Sequence, residues 1–275
     1  MLITNTVISA IGMILLPLVL GYFIVKKFKL IFKDFRKLFI AGALTFIASQ
    51  VLHIPLLIGL TALFNSGSLL SPPESWSLIF NAILLGLLAG IFEETARYIL
   101  FKYVMKNSRT WKESIVIGLG HGGIEAILLG VLAITTLIQM IAMQDTAALS
   151  KLNLPVDQLE IAKTQITAYW AQSAVTPLFG FLERISAMSL HLGLSVLVMY
   201  SVVSGQRKWF WFALLWHALI DALAAYLYPM ITAGTHVVLG TFALEMLIAI
   251  LGVGLLIFAI RLRSRFPVEN ESQTQ

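Results

Sequence analysis

Apolar runs of about 20 residues follow one another along most of the chain, and each can cross a hydrocarbon core about 30 Å thick as a helix. In lipid the backbone must satisfy its own hydrogen bonds, which leaves helices and closed barrels. A barrel strand alternates apolar and polar residues over about 10 positions, whereas a run such as LFIAGALTFIASQVL is continuous. The sequence therefore predicts an all-α, polytopic transmembrane helix bundle. Its seven spans fall at about residues 6–25, 38–62, 78–101, 114–143, 171–203, 210–228 and 239–260. Composition agrees: 59% of the 275 residues are hydrophobic and 12% are charged, against roughly 25% charged in soluble domains. Mean hydropathy is +0.89.

Basic residues set the orientation. One set of loops carries Lys26, Lys27, Lys29, Lys33, Arg36 and Lys37, then Lys102, Lys106, Arg109 and Lys112, then Arg207 and Lys208, and finally Arg261, Arg263 and Arg265. The opposite set holds Lys151 and Lys163. By the positive-inside rule the N-terminus is expected outside and the C-terminus in the cytoplasm of a bacterial cell, with the chain multi-pass in the cytoplasmic membrane. This topology accounts for the sequence pI of about 9.5, so the bilayer is an expected partner and nucleic acid is not. The first apolar run lacks a basic leader and a small-residue cleavage site, and is expected to stay as a span. The expected organisation is one transmembrane domain over 1–265, with its motifs in 78–228, and a short cytoplasmic tail over 266–275. Asn65 to Ser77 reads as a loop around Ser71-Pro72-Pro73. Residues 153–170 place Val156, Leu159, Ala162 and Ile166 at helical spacing among charges, which predicts an amphipathic helix on the outer surface.

Against this apolar background the ionisable residues stand out, because each costs at least ~2.5 kcal/mol at mid-membrane. Glu93, Glu94 and Arg97 end the third span; His121 and Glu125 lie in the fourth; Glu183, Arg184 and His191 in the fifth; His217 and Asp221 in the sixth; Glu245 in the seventh. Helix rise places Glu93, Glu94, His121, Glu125, His191, His217 and Asp221 in one slab about 10–18 Å from the cytoplasmic ends of their spans. Glu93 and Arg97, His121 and Glu125, and His217 and Asp221 are each four apart, hence on one helix face. A His–carboxylate pair at that spacing can give two ligands to one metal, or the carboxylate can fix the histidine's tautomer. Cysteine is absent, so a metal would need His, Asp and Glu. A bound metal would acidify a water, with a neighbouring carboxylate as general base. Gly118, Gly120, Gly122 and Gly123 let helices approach closely. Glu93 with Arg97 also reads as an interfacial ion pair, His53 as a structural histidine beside Pro55, and His236 and Glu245 as non-catalytic. Glu183 lies nearer the outer leaflet, where it would pair with another helix or line a second polar cavity.

Three motifs carry a resemblance: Glu93-Glu94-x-x-Arg97, then Gly118-x-Gly120-His121-Gly122-Gly123-x-Glu125, then His217-x-x-x-Asp221, in that order over about residues 78–228. Together they resemble the YhfC-type intramembrane metalloproteases, distant relatives of the CAAX-processing and bacteriocin-immunity membrane proteases and of the PrsW-type proteases. The resemblance implies that the double Glu supplies the water-activating carboxylate, Glu93 or Glu94. It implies a middle role for His121 and Glu125, and a late role for His217 with Asp221. Arg97 follows Glu94 after two residues, closer to the EExxK of PrsW-type proteins than to the EExxxR of CAAX-type enzymes.

The expected function is an intramembrane peptidase cleaving a membrane-embedded peptide or protein near the cytoplasmic face. Glu93, Glu94, Arg97 and Asp221 are the expected catalytic residues, and His121, Glu125, His191 and His217 the expected ligands of a divalent metal, Zn²⁺ by chemistry. A glutamate-based mechanism is the metal-free form of the same expectation. A proton-coupled transporter or channel using these groups as a relay, and a non-catalytic immunity or assembly protein, are the alternatives.

Overall fold

The computed structural model describes residues 1–144, 149 and 155–267. In chain order its helices are α1 (Leu2–Phe28), α2 (Phe32–Asn65), α3 (Glu74–Ile99) with a π turn Leu100–Val104, α4 (Trp111–Ala142), α5 (Val156–Ala171), α6 (Thr176–Ser204), α7 (Lys208–Thr232) and α8 (Val237–Arg261) with a 3₁₀ turn Leu262–Arg265. There is no strand among the described residues. All of these helices except α5 are long and apolar enough to cross a membrane, seven in all. The expected all-α polytopic bundle is therefore what the chain forms.

Local chemistry sets the helix ends. Thr110 and Glu113 form a reciprocal capping box that starts α4 at Trp111. Gly205, at φ 70°, closes α6 in the left-handed conformation. The fifth span begins at Thr176 rather than the expected 171, because Pro177 sits in the first turn, where its missing N–H costs nothing. The other spans run beyond their expected limits at one or both ends. In particular, α3 begins at Glu74, inside the expected loop. The helix expected over 153–170 forms as α5, with no buried residue; its first two expected positions lie outside the described residues. Phe266, expected in the tail, packs its ring 5.5 Å from that of Tyr200, and the remainder of that segment from 268 lies outside the described residues.

The central helix is α6. Of its apolar window 83% is buried, against 17–33% for the other six spans. Apart from Glu183, Arg184 and His191 it is largely apolar or small around its circumference, as suits a surrounded helix. Around it, α3 packs on α7, α8 on α6, and both α1 and α2 on α4, which itself packs on α6. The α2–α4 contact is backbone against backbone. A Cβ on Gly42 would stand 2.0 Å from the Ile117 carbonyl oxygen, and one on Gly120 2.0 Å from that of Phe39. Small residues permit such approach, and lipid-exposed bundles depend on it because no hydrophobic drive separates helix from lipid. Gly42→Val is accordingly expected to push α2 off α4 and lower thermal stability in detergent. The overpacking cost is about 1–3 kcal/mol or more, and a melting temperature equal to wild type would refute the tight contact.

Candidate active site

Side chains from α2, α3, α4, α6 and α7 meet in the half of the bundle nearer the basic loops. From α3, Glu93 and Glu94 are both buried but point to different partners. Glu93 Oε2 accepts from His121 Nε2 at 3.0 Å and lies 3.8 Å from Arg97 Nη2 and 3.9 Å from His217 Nε2. Its Oε1 accepts from Gln50 Nε2 of α2 at 3.2 Å. Glu94 has no solvent exposure, and its Oε1 accepts from Arg97 Nη1 and, at 2.7 Å, from His217 Nδ1.

These partners fix the histidine tautomers. An ionised carboxylate only accepts, so the imidazole nitrogen facing it carries the proton. His217 therefore gives its Nδ1–H to Glu94, and its Nε2 looks toward Glu93 and, at 3.4 Å, Asp221 Oδ2. His121 gives its Nε2–H to Glu93, and its Nδ1 is buried without a partner among the described residues. His191 Nδ1 accepts from Arg97 Nη2 at 2.6 Å. Its Nε2 lies 2.6 Å from Glu125 Oε2, an ion-pair distance off the hydrogen-bond direction. The three imidazoles are neighbours: ring centroids are 5.2 Å apart for His121 and His191 and 5.6 Å for His191 and His217.

The structure thus gathers all eight expected site residues, Glu93, Glu94, Arg97, His121, Glu125, His191, His217 and Asp221, into one connected network. It differs from the expected pairings in one respect. Glu125 and His121 are four apart on α4 yet do not pair. Glu125 instead accepts from Arg184 Nη1 at 2.7 Å and meets His191 on α6, while His121 turns to α3. Of the residues read as structural or peripheral, His53 is buried and stacks on Phe92 at 5.5 Å. Glu183 pairs with Arg184, and His236 is exposed ahead of α8. Sequence reasoning missed the α2 wall of the site. Gln50 holds Glu93, and Phe46 presents its ring to His121 at 5.3 Å between centroids. The signal was present, because Thr45, Ser49 and His53 form a polar stripe every four residues and all are buried.

A metal can be tested against these side chains. Glu93, His191 and His217 each offer a ligand atom, all within 4.8 Å of one another and all three residues buried. Two imidazoles and a carboxylate make a donor set that zinc hydrolases use, with a further position left for water or substrate. His217 is already oriented for it, since a carboxylate on Nδ1 is the usual support of a ligating histidine. His191 has both nitrogens engaged and would release one partner to ligate. The residues fit the group.

Beside the network, between α2 and α3, runs a groove of about 990 Å³ lined by Thr45, Ser49, Leu52, Phe92, Thr95 and other largely apolar residues, with Lys37 and Lys106 at its basic end. Gln50 stands between Ser49 and Glu93, donating toward both.

Fold and site define a class: a polytopic helical membrane protein with a buried carboxylate–imidazole–guanidinium centre inside its bundle. Residues 12–241 match the family described as YhfC intramembrane metalloprotease; the chain belongs to that family. It is also similar to a Bacillus subtilis (strain 168) protein called uncharacterized membrane protein YhfC, 34% identical over 142 residues. That match spans 50% of this chain and 54% of the relative. No solved structure matches it.

Proposed function

We propose that the chain is an intramembrane, metal-dependent peptidase that hydrolyses a peptide bond of a membrane-embedded substrate near the cytoplasmic face of a bacterial cell membrane. The observation that carries this reading is the buried Glu93–His191–His217 donor set, supported on one side by Glu94 and Arg97 and flanked on the other by Asp221. The match to a family described as metalloprotease supports it.

A bound divalent metal, zinc by this donor set, would supply the Lewis acid that polarises the scissile carbonyl and makes water a nucleophile at neutral pH. Glu93, His191 and His217 would hold it. Glu94 keeps His217 in the tautomer whose Nε2 faces the centre, and Arg97 fixes Glu94. Glu94 has no exposure and its Oε1 is engaged twice, so it serves as a positioning residue rather than as the base. With Glu93 among the ligands and Glu125 paired with Arg184, Asp221 is the carboxylate left to take the water's proton, 38% exposed at its side chain and 3.4 Å from His217 Nε2. The proton then passes to the leaving amine. His121 and Gln50 hold Glu93 from two sides. Substrate would approach along the α2–α3 groove, whose apolar walls suit a peptide arriving from lipid. In a metal-free mechanism Glu93, rather than Asp221, would be the base.

Elemental analysis of detergent-purified protein, prepared without chelator, is the deciding measurement. Near-stoichiometric zinc is expected in wild type and in Asp221→Asn, and none in His217→Ala. Asp221→Asn is expected to bind metal but cut a peptide substrate at least about 10²-fold more slowly, the size of a general-base contribution. Wild type that cleaves while holding no metal would discard the metal-dependent mechanism. Wild type that neither holds metal nor cleaves any membrane peptide would discard the peptidase reading.

A further inference from the structure

A second polar cavity lies in the other half of the bundle, and no step above uses it. It measures about 460 Å³ and is lined by Thr6, Ser9, Glu183, Tyr228, Thr241 and Glu245 together with apolar residues of α1, α4, α6, α7 and α8. None of the eight residues of the carboxylate–imidazole centre lines it. Helix rise puts Ser9, Glu183 and Glu245 about 10–12 Å from the starts of α1, α6 and α8, all at the end of the bundle away from the basic loops.

Two polar groups of this cavity, on Ser9 and Glu245, are short of a partner. Glu183 is held by Arg184, and the same guanidinium is shared with Glu125. Glu245 is only 6% exposed, and its Oε2 is buried with no hydrogen-bond partner among the described residues. Ser9 is 2% exposed, and its Oγ is likewise unpartnered. No Lys, Arg or His is among the described residues lining the cavity. A carboxylate kept out of water without a hydrogen-bond partner is costly, and more so inside a membrane. The glycine at 180 lets α1 come close at the cavity wall: a Cβ there would stand 2.8 Å from Met13 Cε and 3.8 Å from Ser9 Oγ.

We infer that this cavity is a second cation site, taking a hard cation of the sodium or calcium class on the oxygens of Glu245, Ser9 and Glu183. Every side-chain polar atom that lines it is a carboxylate or hydroxyl oxygen, and oxygen-only donor sets select hard cations. The imidazole-bearing centre suits zinc instead, so the two sites differ in the ion they prefer. They are connected by one chain of ion pairs, Glu183–Arg184–Glu125–His191, which passes from the cavity wall to the centre.

The test is titration of the detergent-purified full chain with calcium chloride and with sodium chloride. Choline chloride holds ionic strength constant, and calorimetry and melting temperature are the readouts. Wild type is expected to bind at least one of the two ions saturably and to melt higher when it is bound. Glu245→Gln keeps the shape, removes the charge and is expected to weaken binding at least about tenfold, an interaction-sized loss. Ser9→Ala should weaken it less, and His217→Ala should leave it unchanged. The inference is overturned if folded wild type binds neither ion, or if binding survives Glu245→Gln and disappears in His217→Ala, which would put the ion in the other centre. Should Glu245→Gln not fold, Ser9→Ala decides, and an affinity equal to wild type's would overturn the site.

Discussion

Glu93→Gln is expected to abolish peptide cleavage, lowering the rate by at least about 10²–10⁴-fold, the range lost with a general acid or base. Glu93 stands at the crossing of the network: His121, Arg97, His217 and Gln50 all approach its two oxygens. Whether it ligates a metal or takes a proton itself, the amide cannot supply the negative charge those four side chains are arranged around. The exchange is close to isosteric: the amide oxygen can still accept from His121, and the NH₂ can donate to Gln50 once that side-chain amide turns over, so the protein should insert and fold. A purified Glu93→Gln variant that cleaves at the wild-type rate would remove Glu93 from the chemistry. Metal content measured on the same sample separates its two roles, because only a ligand's loss releases the ion.

Arg97→Met is expected to destabilise the protein more than any other single change at the site. Arg97 is fully buried and touches Glu93, Glu94 and His191. Removing it leaves the wholly buried Glu94 carboxylate with His217 as its one remaining polar partner. Breaking a buried pair from one side costs about 3–5 kcal/mol, mostly from the charge left behind. The double variant Arg97→Met with Glu94→Gln should recover part of that loss, since the orphaned charge is gone. Thermal unfolding of the four proteins in one detergent measures the coupling. Additive losses would show that Arg97 and Glu94 do not act as a unit.

Much of this protein was legible in order along the chain. Continuous apolar runs specified seven spanning helices, because lipid leaves the backbone no other way to satisfy its polar groups over such lengths. The same background exposed the candidate site residues: an ionisable group on an apolar helix stands out in a way that it does not on a soluble surface. Helix rise alone grouped Glu93, Glu94, His121, Glu125, His191, His217 and Asp221, and the structure brings those seven together with Arg97. Helix ends were less legible. The start of α6 turned on one residue, Pro177, within a sequence otherwise apolar enough to continue the span.

Partners were decided elsewhere. Spacing by four places two side chains on one helix face but does not choose between a neighbour on that helix and one across an interface. His217 and Asp221 stayed within reach of each other, whereas His121 turned to Glu93 and Glu125 to Arg184 and His191. The choice belongs to the close α2–α4 and α4–α6 contacts, which set the rotation of α4 against its neighbours, with Gly42 and Gly120 at the first and the His191 ring against Gly122 at the second. The division of labour between Glu93 and Glu94 was equally invisible, because adjacent residues of one type differ only in which helix each faces. The sequence by itself determined the solvent, the number of spans and the depth at which polar groups gather, all properties of single helices read against lipid. Which carboxylate meets which imidazole, and that Glu183 and Glu245 share a separate cavity, depends on how the helices are rotated and paired, and only the tertiary structure decided it.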